Sequence, residues 1–436
     1  MTREELPGGV RLHLAPTRKF KTATVKVFLR CDLEPKVATE VAALPFILRR
    51  GTERVPTLRG LSRRLEELYG ASLEPHLDKV GEQQVLSFSL RVLGERFLPK
   101  GGSVLAEGIE LLSDLILRPA RDEQGHLRAE EVAQEKVKIQ RRIEGLLNDK
   151  GSYAAEKLIS TMCAGEPYSV FEFGSLEDLP GVDGASLEAR RRALVERSPI
   201  DVYAVGAFEP DQLRELVAQA FLLPGREPTP LRGTTGHPPP REVREVTERM
   251  GGLSQSKLCM GLRTDLRVGD EGFWDLLVAT GVLGGFPHSK LFRNVREAEG
   301  LCYHASASLE RYKGLMFMFA GIDAENAEKT RDMCLAQLEA IRQGEVSADE
   351  LDNTVAAFRQ AYRGILDRPT SLMNFDYLMS VHGGSGTPED AIAAVAGVTR
   401  EGIQAAAQRV RLDTVYLLAP EETGEAGESS GGGEAA

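Results

Sequence analysis

Cysteine is scarce in this chain and histidine is dispersed, which excludes several common kinds of site. The five cysteines among 436 residues form no CxxC or other metal spacing, so we expect reduced, buried thiols rather than disulfides or a cysteine zinc site. The closest two of the seven histidines, His288 and His304, are 16 positions apart, whereas a helical zinc site needs two within about one turn. The sequence therefore predicts no metal on this chain.

Long apolar runs and positive charge are also missing. No stretch approaches the ~18 to 20 apolar residues of a membrane span, and the first residues lack the apolar core of a secretory leader. The formal charge of -11 leaves no basic excess to bind nucleic acid or an anionic membrane. We therefore expect a cytoplasmic globular protein that binds neither nucleic acid nor membrane.

The chain contains an internal repeat. Three short segments recur at a nearly constant offset of 212 or 213 positions. Each copy predicts a capped helix that leads into a buried strand, so we predict two homologous domains. The repeated pairs are 174–178 (GSLED) with 386–390 (GTPED), 184–188 (GASLE) with 397–401 (GVTRE), and 202–205 (VYAV) with 415–418 (VYLL).

Composition marks the boundaries of these domains. Residues 222–243 contain six prolines and three glycines, and such a stretch holds neither a helix nor a central strand. We predict an N-terminal domain at 1–221, this linker, a C-terminal domain at 244–420 and a disordered tail at 421–436, which is rich in glycine and glutamate.

Strands and helices are grouped within each half rather than strictly alternating. This grouping predicts an α+β fold in which each domain is an antiparallel sheet covered by helices. The predicted strands are 10–14, 22–29, 84–92, 257–262 and 314–322, the first two as an antiparallel pair. The predicted helices are 58–69, 104–117, 130–147, 274–283, 290–299, 326–343 and 348–366.

Residues 42–53 (AALPFILRRGTE) have the frame of a metallopeptidase active-site helix. They resemble the active helix of the pitrilysin and mitochondrial-processing-peptidase family, the inverzincins, in which a His-x-x-Glu-His helix ends in a Lys/Arg-Gly-Thr stop. In that family the two histidines bind zinc and the glutamate activates water. The resemblance extends from LPGGVRL at 6–12 to Tyr416, and it implies two peptidase halves of the LuxS/metallohydrolase type.

The chemical positions of this motif carry no suitable side chains. Counted back from the Gly-Thr stop, they are Ala42, Pro45 and Phe46, and none of these binds zinc or takes up a proton. The resemblance places a third ligand, a carboxylate, on a helix like EKVKIQRRI at 135–143, where this chain has Arg142. The resemblance therefore implies a lost zinc motif with a cation at the ligand position.

The second domain keeps its family motif. Residues 289–303 (SKLFRNVREAEGLCY) resemble a segment in which an arginine and a tyrosine, seven positions apart, face the zinc site from the opposite domain. Here they are Arg296 and Tyr303, and the resemblance implies that they stabilise an oxyanion or hold the substrate carbonyl in a partner's active site. Gly284 and Gly285 precede this helix; they form either a weak substrate-binding loop or only a tight turn.

Three functions compete on this evidence. The first is a catalytically inactive subunit of a heterodimeric zinc metallopeptidase, which supplies Arg296, Tyr303 and half of a peptide-binding chamber to a zinc-bearing homologue of similar length. The second is a structural scaffold or core-type subunit without peptide handling, and the third is an enzyme active alone through another site. The Arg/Tyr motif favours the first over the second. The missing ligands, and the absence of a Ser/His/Asp or Cys/His pattern, argue against the third.

Overall fold

The computed structural model describes residues 1–99, 103–384 and 386–421. The tail that was predicted to be disordered lies, beyond Glu421, outside the described residues. Two sheets with associated helices form the described chain, one in each half of the sequence. None of the helices in the described ranges is long and apolar enough to cross a bilayer.

The N-terminal half holds the first sheet. Its strands, within the described residues, are β1 (Thr2–Leu6), β2 (Val10–Pro16), β3 (Thr22–Asp32), β4 (Ser72–Val80), β5 (Gln83–Leu93) and β6 (Ile200–Gly206). Its α-helices are α1 (Pro35–Leu48), α2 (Leu58–Glu67), α3 (Val104–Leu117), α4 (Ala129–Gly145), α5 (Lys150–Met162), α6 (Gly184–Arg197) and α7 (Pro210–Ala220).

The C-terminal half holds the second sheet. Its strands are β7 (Arg244–Met250), β8 (Ser256–Arg263), β9 (Cys302–Glu310), β10 (Leu315–Ile322) and β11 (Arg411–Pro420). Its α-helices are α8 (Phe273–Thr280), α9 (Ala327–Arg342), α10 (Ala348–Ile365), α11 (Pro369–Val381), α12 (Pro388–Ala396) and α13 (Arg400–Ala407). Two π-helical segments, Gly281–Gly285 and Leu291–Ala298, follow α8. Short 3₁₀ turns occur at Glu95–Phe97, Pro167–Ser169, Leu179–Gly181 and Ala324–Asn326.

The predicted α+β class with two homologous halves is confirmed, but one predicted strand pair is wrong. We expected β2 and β3 to pair, whereas the sheet order is β1-β2-β6-β3-β5-β4, so that β6 lies between them. Every residue of β6 is buried, and a strand that is buried on both faces requires a central position. The burial of β6 therefore determines the strand order, although β2 and β3 are neighbours in the sequence.

Each sheet is mainly antiparallel, as predicted, and contains one parallel pair. The parallel pairs are β2 with β6 and β7 with β11. In both halves the last strand returns after several helices, and a long crossover permits parallel pairing. In the second sheet, of order β7-β11-β8-β10-β9, β11 is inserted as β6 is in the first. The repeated VYAV and VYLL segments lie in these two equivalent strands.

Each half lends one helix to the sheet of the other half. Helix α5 packs on β8 and β11, and helix α11 packs on β3 and β6. Gly261 of β8 permits the first approach, because an added Cβ would lie 2.5 Å from the sulfur of Met162. In the second, the ring of Tyr377 stacks on Phe28 with centroids 3.9 Å apart. The two halves therefore share their cores.

A buried ion-pair cluster joins the halves where the linker passes between them. The ammonium of Lys313 is fully buried and lies 2.6 Å from Glu82 Oε1 and 2.7 Å from Glu166 Oε2. The linker contributes the carbonyl of Thr235, which accepts from Lys313 at 2.7 Å. Burial alone would raise the pKa of Glu166, but hydrogen bonds from Arg263 and Lys313 lower it. Glu166 therefore contributes to the free energy of unfolding above its pKa in the unfolded chain. This contribution is lost as the pH falls through the lower pKa that Glu166 has in the folded protein.

We expect Lys313→Met to destabilise the protein by about 3–5 kcal/mol, because it leaves the buried carboxylate of Glu82 without a cation and Glu166 with Arg263 alone. Unfolding in urea, followed by circular dichroism at neutral pH, measures the change. Lys329→Met is the matched control, since Lys329 is exposed and pairs with Glu299 at the surface, where such pairs contribute at most about 1 kcal/mol. Adding Glu82→Gln to Lys313→Met should recover part of the loss. Equal stability of the two single variants would contradict this account of the cluster.

Candidate functional site

Helix α1 carries the three positions at which the motif was predicted to be degenerate. Ala42 is fully buried, Pro45 is buried inside the helix, and Phe46 is half-buried. A proline inside a helix removes one backbone hydrogen bond and costs about 3 kcal/mol. The helix nevertheless persists because most of its residues pack in the core of the first half.

The end of α1 is fixed to α4 by a buried ion pair. Arg50 donates from Nε to Glu135 Oε1 at 2.6 Å, and Glu135 on α4 is almost completely buried. Gly51 follows, where an added Cβ would lie 2.8 Å from the backbone carbonyl oxygen of Val55. In the Arg-Gly-Thr stop, the arginine therefore holds α4 beside α1, and the glycine lets the chain pass close to Val55.

Two of the positions predicted for the lost ligands, Phe46 and Arg142, form a cation–π contact, and the ring of Phe173 makes a second one with the same arginine. The guanidinium carbon of Arg142 lies 5.6 Å from the ring centroid of Phe46 and 4.6 Å from that of Phe173. The centroids of these two rings are 6.4 Å apart. Such contacts stabilise a partly exposed arginine by about 0.5–1 kcal/mol. Zinc requires thiolate, imidazole or carboxylate ligands, so the residues present here do not fit it.

A second group of potential ligands lies elsewhere in the described chain but already holds a cation. Glu82, Glu166 and His237 bring ligand atoms within 4.8 Å of one another. Lys313 occupies this space, with its ammonium against both carboxylates. A divalent cation there would meet the charge of Lys313 in a buried site, which disfavours it.

Arg296 and Tyr303 lie together at an edge of the second sheet. Arg296 is in the second π-helical segment, and its Nε donates to the backbone oxygen of Tyr303 at 3.0 Å. Tyr303 is the extra residue of a β-bulge in edge strand β9, because Cys302 pairs with Ile322 and His304 with the preceding Gly321. Its side chain is 59% exposed. Bulges and π-helical turns recur at functional sites, where they change the direction of a side chain.

The two predicted glycines differ in their surroundings. Gly284 is buried, and an added Cβ would lie 2.3 Å from the backbone nitrogen of Ala307 in β9. Its lack of a side chain therefore lets the first π-helical segment approach the strand that carries Tyr303. Gly285 is exposed. A role of either glycine in substrate binding stays a prediction.

The two groups of predicted residues remain separate within the chain. No hydrogen bond, ion pair or ring contact among the described residues joins Arg296 or Tyr303 to Phe46 or Arg142. The sequence reasoning missed Phe173, because a single aromatic residue in a loop gives no signal of what it packs against. It also missed the bulge at Tyr303, for which the only sign is the pairing register.

Comparison with known proteins identifies relatives of the whole chain. A family model described as "Peptidase M16 inactive domain" matches residues 185–358. A Bacillus subtilis (strain 168) protein named "Probable inactive metalloprotease YmfF" is 31% identical over 413 residues, which are 94% of this chain and 96% of that protein.

Solved structures agree with these matches. The crystal structure of a conserved protein from Enterococcus faecalis V583 is similar with a TM-score of 0.90 and 31% identity, over 96% of this chain and 98% of that chain. The ferredoxin protease FusC, in complex with Arabidopsis ferredoxin, has a TM-score of 0.70 at 15% identity, over 96% of this chain but 45% of that chain; this likeness concerns the fold alone. From the sequence relatives and the missing motif, the chain belongs to the peptidase M16 family as an inactive homologue.

Proposed function

We propose that the chain is the non-catalytic subunit of a heterodimeric zinc metallopeptidase, with Arg296 and Tyr303 directed at the active site of a zinc-bearing partner of similar length. The observation that carries this proposal is the arrangement of the pair. One nitrogen of Arg296 fixes the bulge that exposes Tyr303. The side chain of Tyr303 is left exposed at this fixed point of the backbone, where another molecule can reach it.

The pair has unused donors for a substrate. The two terminal nitrogens of Arg296 have no hydrogen-bond partner in the described part of the chain, and the Phe292 ring supports its guanidinium at 4.4 Å. Peptide hydrolysis develops negative charge on the carbonyl oxygen, and donors that are fixed in advance stabilise it. Arginine and tyrosine together therefore suit an oxyanion or a substrate carbonyl.

The size of the chain is compatible with pairing. It matches less than half of the ferredoxin protease chain, which leaves room in that chain for a second unit of similar size. A separate partner would supply the equivalent of that second unit here. The partner would carry zinc and, with this chain, enclose the peptide substrate.

The remaining assignments follow from the same proposal. Ala42, Pro45, Phe46 and Arg142 take the places of the ligands and the base, so this chain contributes no zinc of its own. We place the complex in the cytoplasm, which the five free cysteines support, since reduced thiols persist there.

Arg296→Ala and Tyr303→Phe should each lower the peptidase activity of the co-expressed pair by about 10²–10³-fold, mainly in kcat, because each removes a donor to developing charge. The assay follows cleavage of a fluorogenic peptide by this chain mixed with an M16 homologue that carries His-x-x-Glu-His. Matched controls are Arg293→Ala, on the same helical segment, and Tyr69→Phe, which is also exposed. Both controls should retain full activity.

Two outcomes would overturn the proposal. The homologue could be equally active with and without this chain, which would favour a scaffold. Alternatively, both pair variants could behave like their controls, and then the partner would complete its site without this pair.

If the degenerate positions correspond to the ligands of the family motif, we expect substitutions at these positions to restore zinc binding. The variant Ala42→His/Pro45→Glu/Phe46→His/Arg142→Glu should bind about one zinc per chain, because it restores two imidazoles one turn apart and a facing carboxylate. Metal analysis after gel filtration measures this. The triple variant that keeps Arg142 is the control, and its cation should weaken binding strongly. A folded quadruple variant without zinc would show that these positions do not face one another as the family motif requires.

A further inference from the structure

One face of the first sheet carries a polar depression beyond the edge of α11. We name it the serine trough, after the two serines of β5 that form its floor, Ser87 and Ser89. Strand β3 forms one wall and edge strand β4 the other. The pairing register places the side chains in three rows: Thr24 with Arg91 and Ser72, Lys26 with Ser89 and Glu74, and Phe28 with Ser87 and His76.

The trough is a cavity because, in two of its three rows, the middle strand carries a serine between the longer side chains of its neighbours. It encloses about 290 Å³, which suits a small molecule or the end of a chain. Ser87 is fully buried and lines this cavity, and its hydroxyl has no hydrogen-bond partner among the described residues. Buried hydroxyls are normally satisfied, so an unpaired one at a cavity wall indicates a missing acceptor or donor.

Lys26 supplies a buried cation at the same wall. It is 5% exposed, its ammonium donates to Asn374 Oδ1 at 2.8 Å, and it lies 4.7 Å from the centroid of the Phe28 ring. An ammonium has three donors, and Asn374 is its only acceptor within the described residues. Burial lowers the pKa of Lys26 to about 8, which reflects this incomplete solvation. A carboxylate beside it would satisfy the remaining donors.

The charged side chains that line the trough are the cations Lys26 and Arg91, the carboxylate Glu74 and the imidazole of His76. Glu74 interacts with Arg49, which lies on helix α1's end, and His76 pairs with Asp78 at 3.2 Å. Arg91, in contrast, has no ion-pair or hydrogen-bond partner for its side chain in the described chain. Lys26, which is also within electrostatic reach of Asp78, and Arg91 are therefore two cations against the one carboxylate of the lining, Glu74.

The trough exists only in the assembled chain. Thr370 and Asn374 line it from α11, the helix that the C-terminal half lends to this sheet. It also adjoins the degenerate motif, since His76 is within electrostatic reach of both Lys26 and Arg142. The residues that line the trough and those of the degenerate motif include neither Arg296 nor Tyr303.

We propose that the serine trough binds a carboxylate group, with Lys26 as its charge partner and the Ser87 hydroxyl as a hydrogen-bond donor. The carboxylate belongs either to a small free acid or to the C-terminus of a short peptide, since both present the same group. Binding needs no partner subunit and no zinc, so its test is independent of the proposed peptidase complex.

The experiment titrates the full chain, alone, with three probes: acetate, tetra-alanine with a free C-terminus, and tetra-alanine amide. Calorimetry or chemical-shift perturbation gives the dissociation constants at neutral pH. We expect saturable binding of the free-acid peptide and at least tenfold weaker binding of the amide. Competition by acetate would assign the site to free acids as well as chain ends, and its absence would assign it to chain ends.

Variants locate the binding in the trough. Lys26→Met keeps the aliphatic stem and should weaken binding at least tenfold, whereas Lys36→Met, an exposed lysine on α1, should leave it unchanged. Ser89→Leu fills the floor without touching the charge, so it tests the site even if Lys26→Met disturbs folding. Equal binding of acid and amide, no saturable binding of either peptide or acetate, or full binding by a folded Ser89→Leu variant would each overturn the proposal.

Discussion

The exchange of helices between the halves is the constraint on which the rest of this structure depends. Helix α5 completes the core over the second sheet and α11 completes the core over the first, so neither half buries its sheet alone. The buried ammonium of Lys313 reinforces this exchange at the linker, where two carboxylates from the N-terminal half meet it. A buried pair of this kind contributes specificity of arrangement more than stability, because its desolvation offsets much of its attraction. The halves therefore have one preferred relation, and every site on them is fixed relative to the others.

Within that frame, the helix that resembles a zinc helix has become part of the packing. Ala42 and Pro45 are buried at positions where the resemblance predicts polar groups in catalytic members of the family. A helix that must hold imidazoles and a carboxylate retains buried polar groups that need partners, whereas alanine and phenylalanine need none. Pro45 costs a backbone hydrogen bond, which the surrounding core compensates. At the exposed rim Arg142 stacks on Phe46 and Phe173, so that the position predicted for a lost ligand is stabilised by cation–π contacts.

The sequence predicted those parts of the fold that periodicity and capping determine locally. Helix α3 was predicted to the residue, because its apolar positions recur at helical spacing over its whole length. Strand β4 was missed, since it is an edge strand with few apolar residues and an internal proline. The wrong β2–β3 pair shows a limit of a different kind: the insertion of β6 depends on long-range burial, which no local pattern encodes. The serine trough is equally hidden, because serines in a strand have no distinctive meaning until the register sets them between Lys26 and Glu74.

Rigidity gives a physical reason for the arginine and the tyrosine of the proposed function to lie at a sheet edge. A donor that must reorganise as charge develops loses much of its effect, whereas a donor fixed beforehand does not. Arg296 donates one nitrogen to the backbone of the bulge, so part of the cost of ordering this side chain is met during folding, and its two terminal nitrogens have no hydrogen-bond partner among the described residues. Gly284 permits the close approach of the first π-helical segment to the same strand, at Ala307. Under the proposed function, an exposed pair prepared in this way would act on a substrate that a different subunit holds.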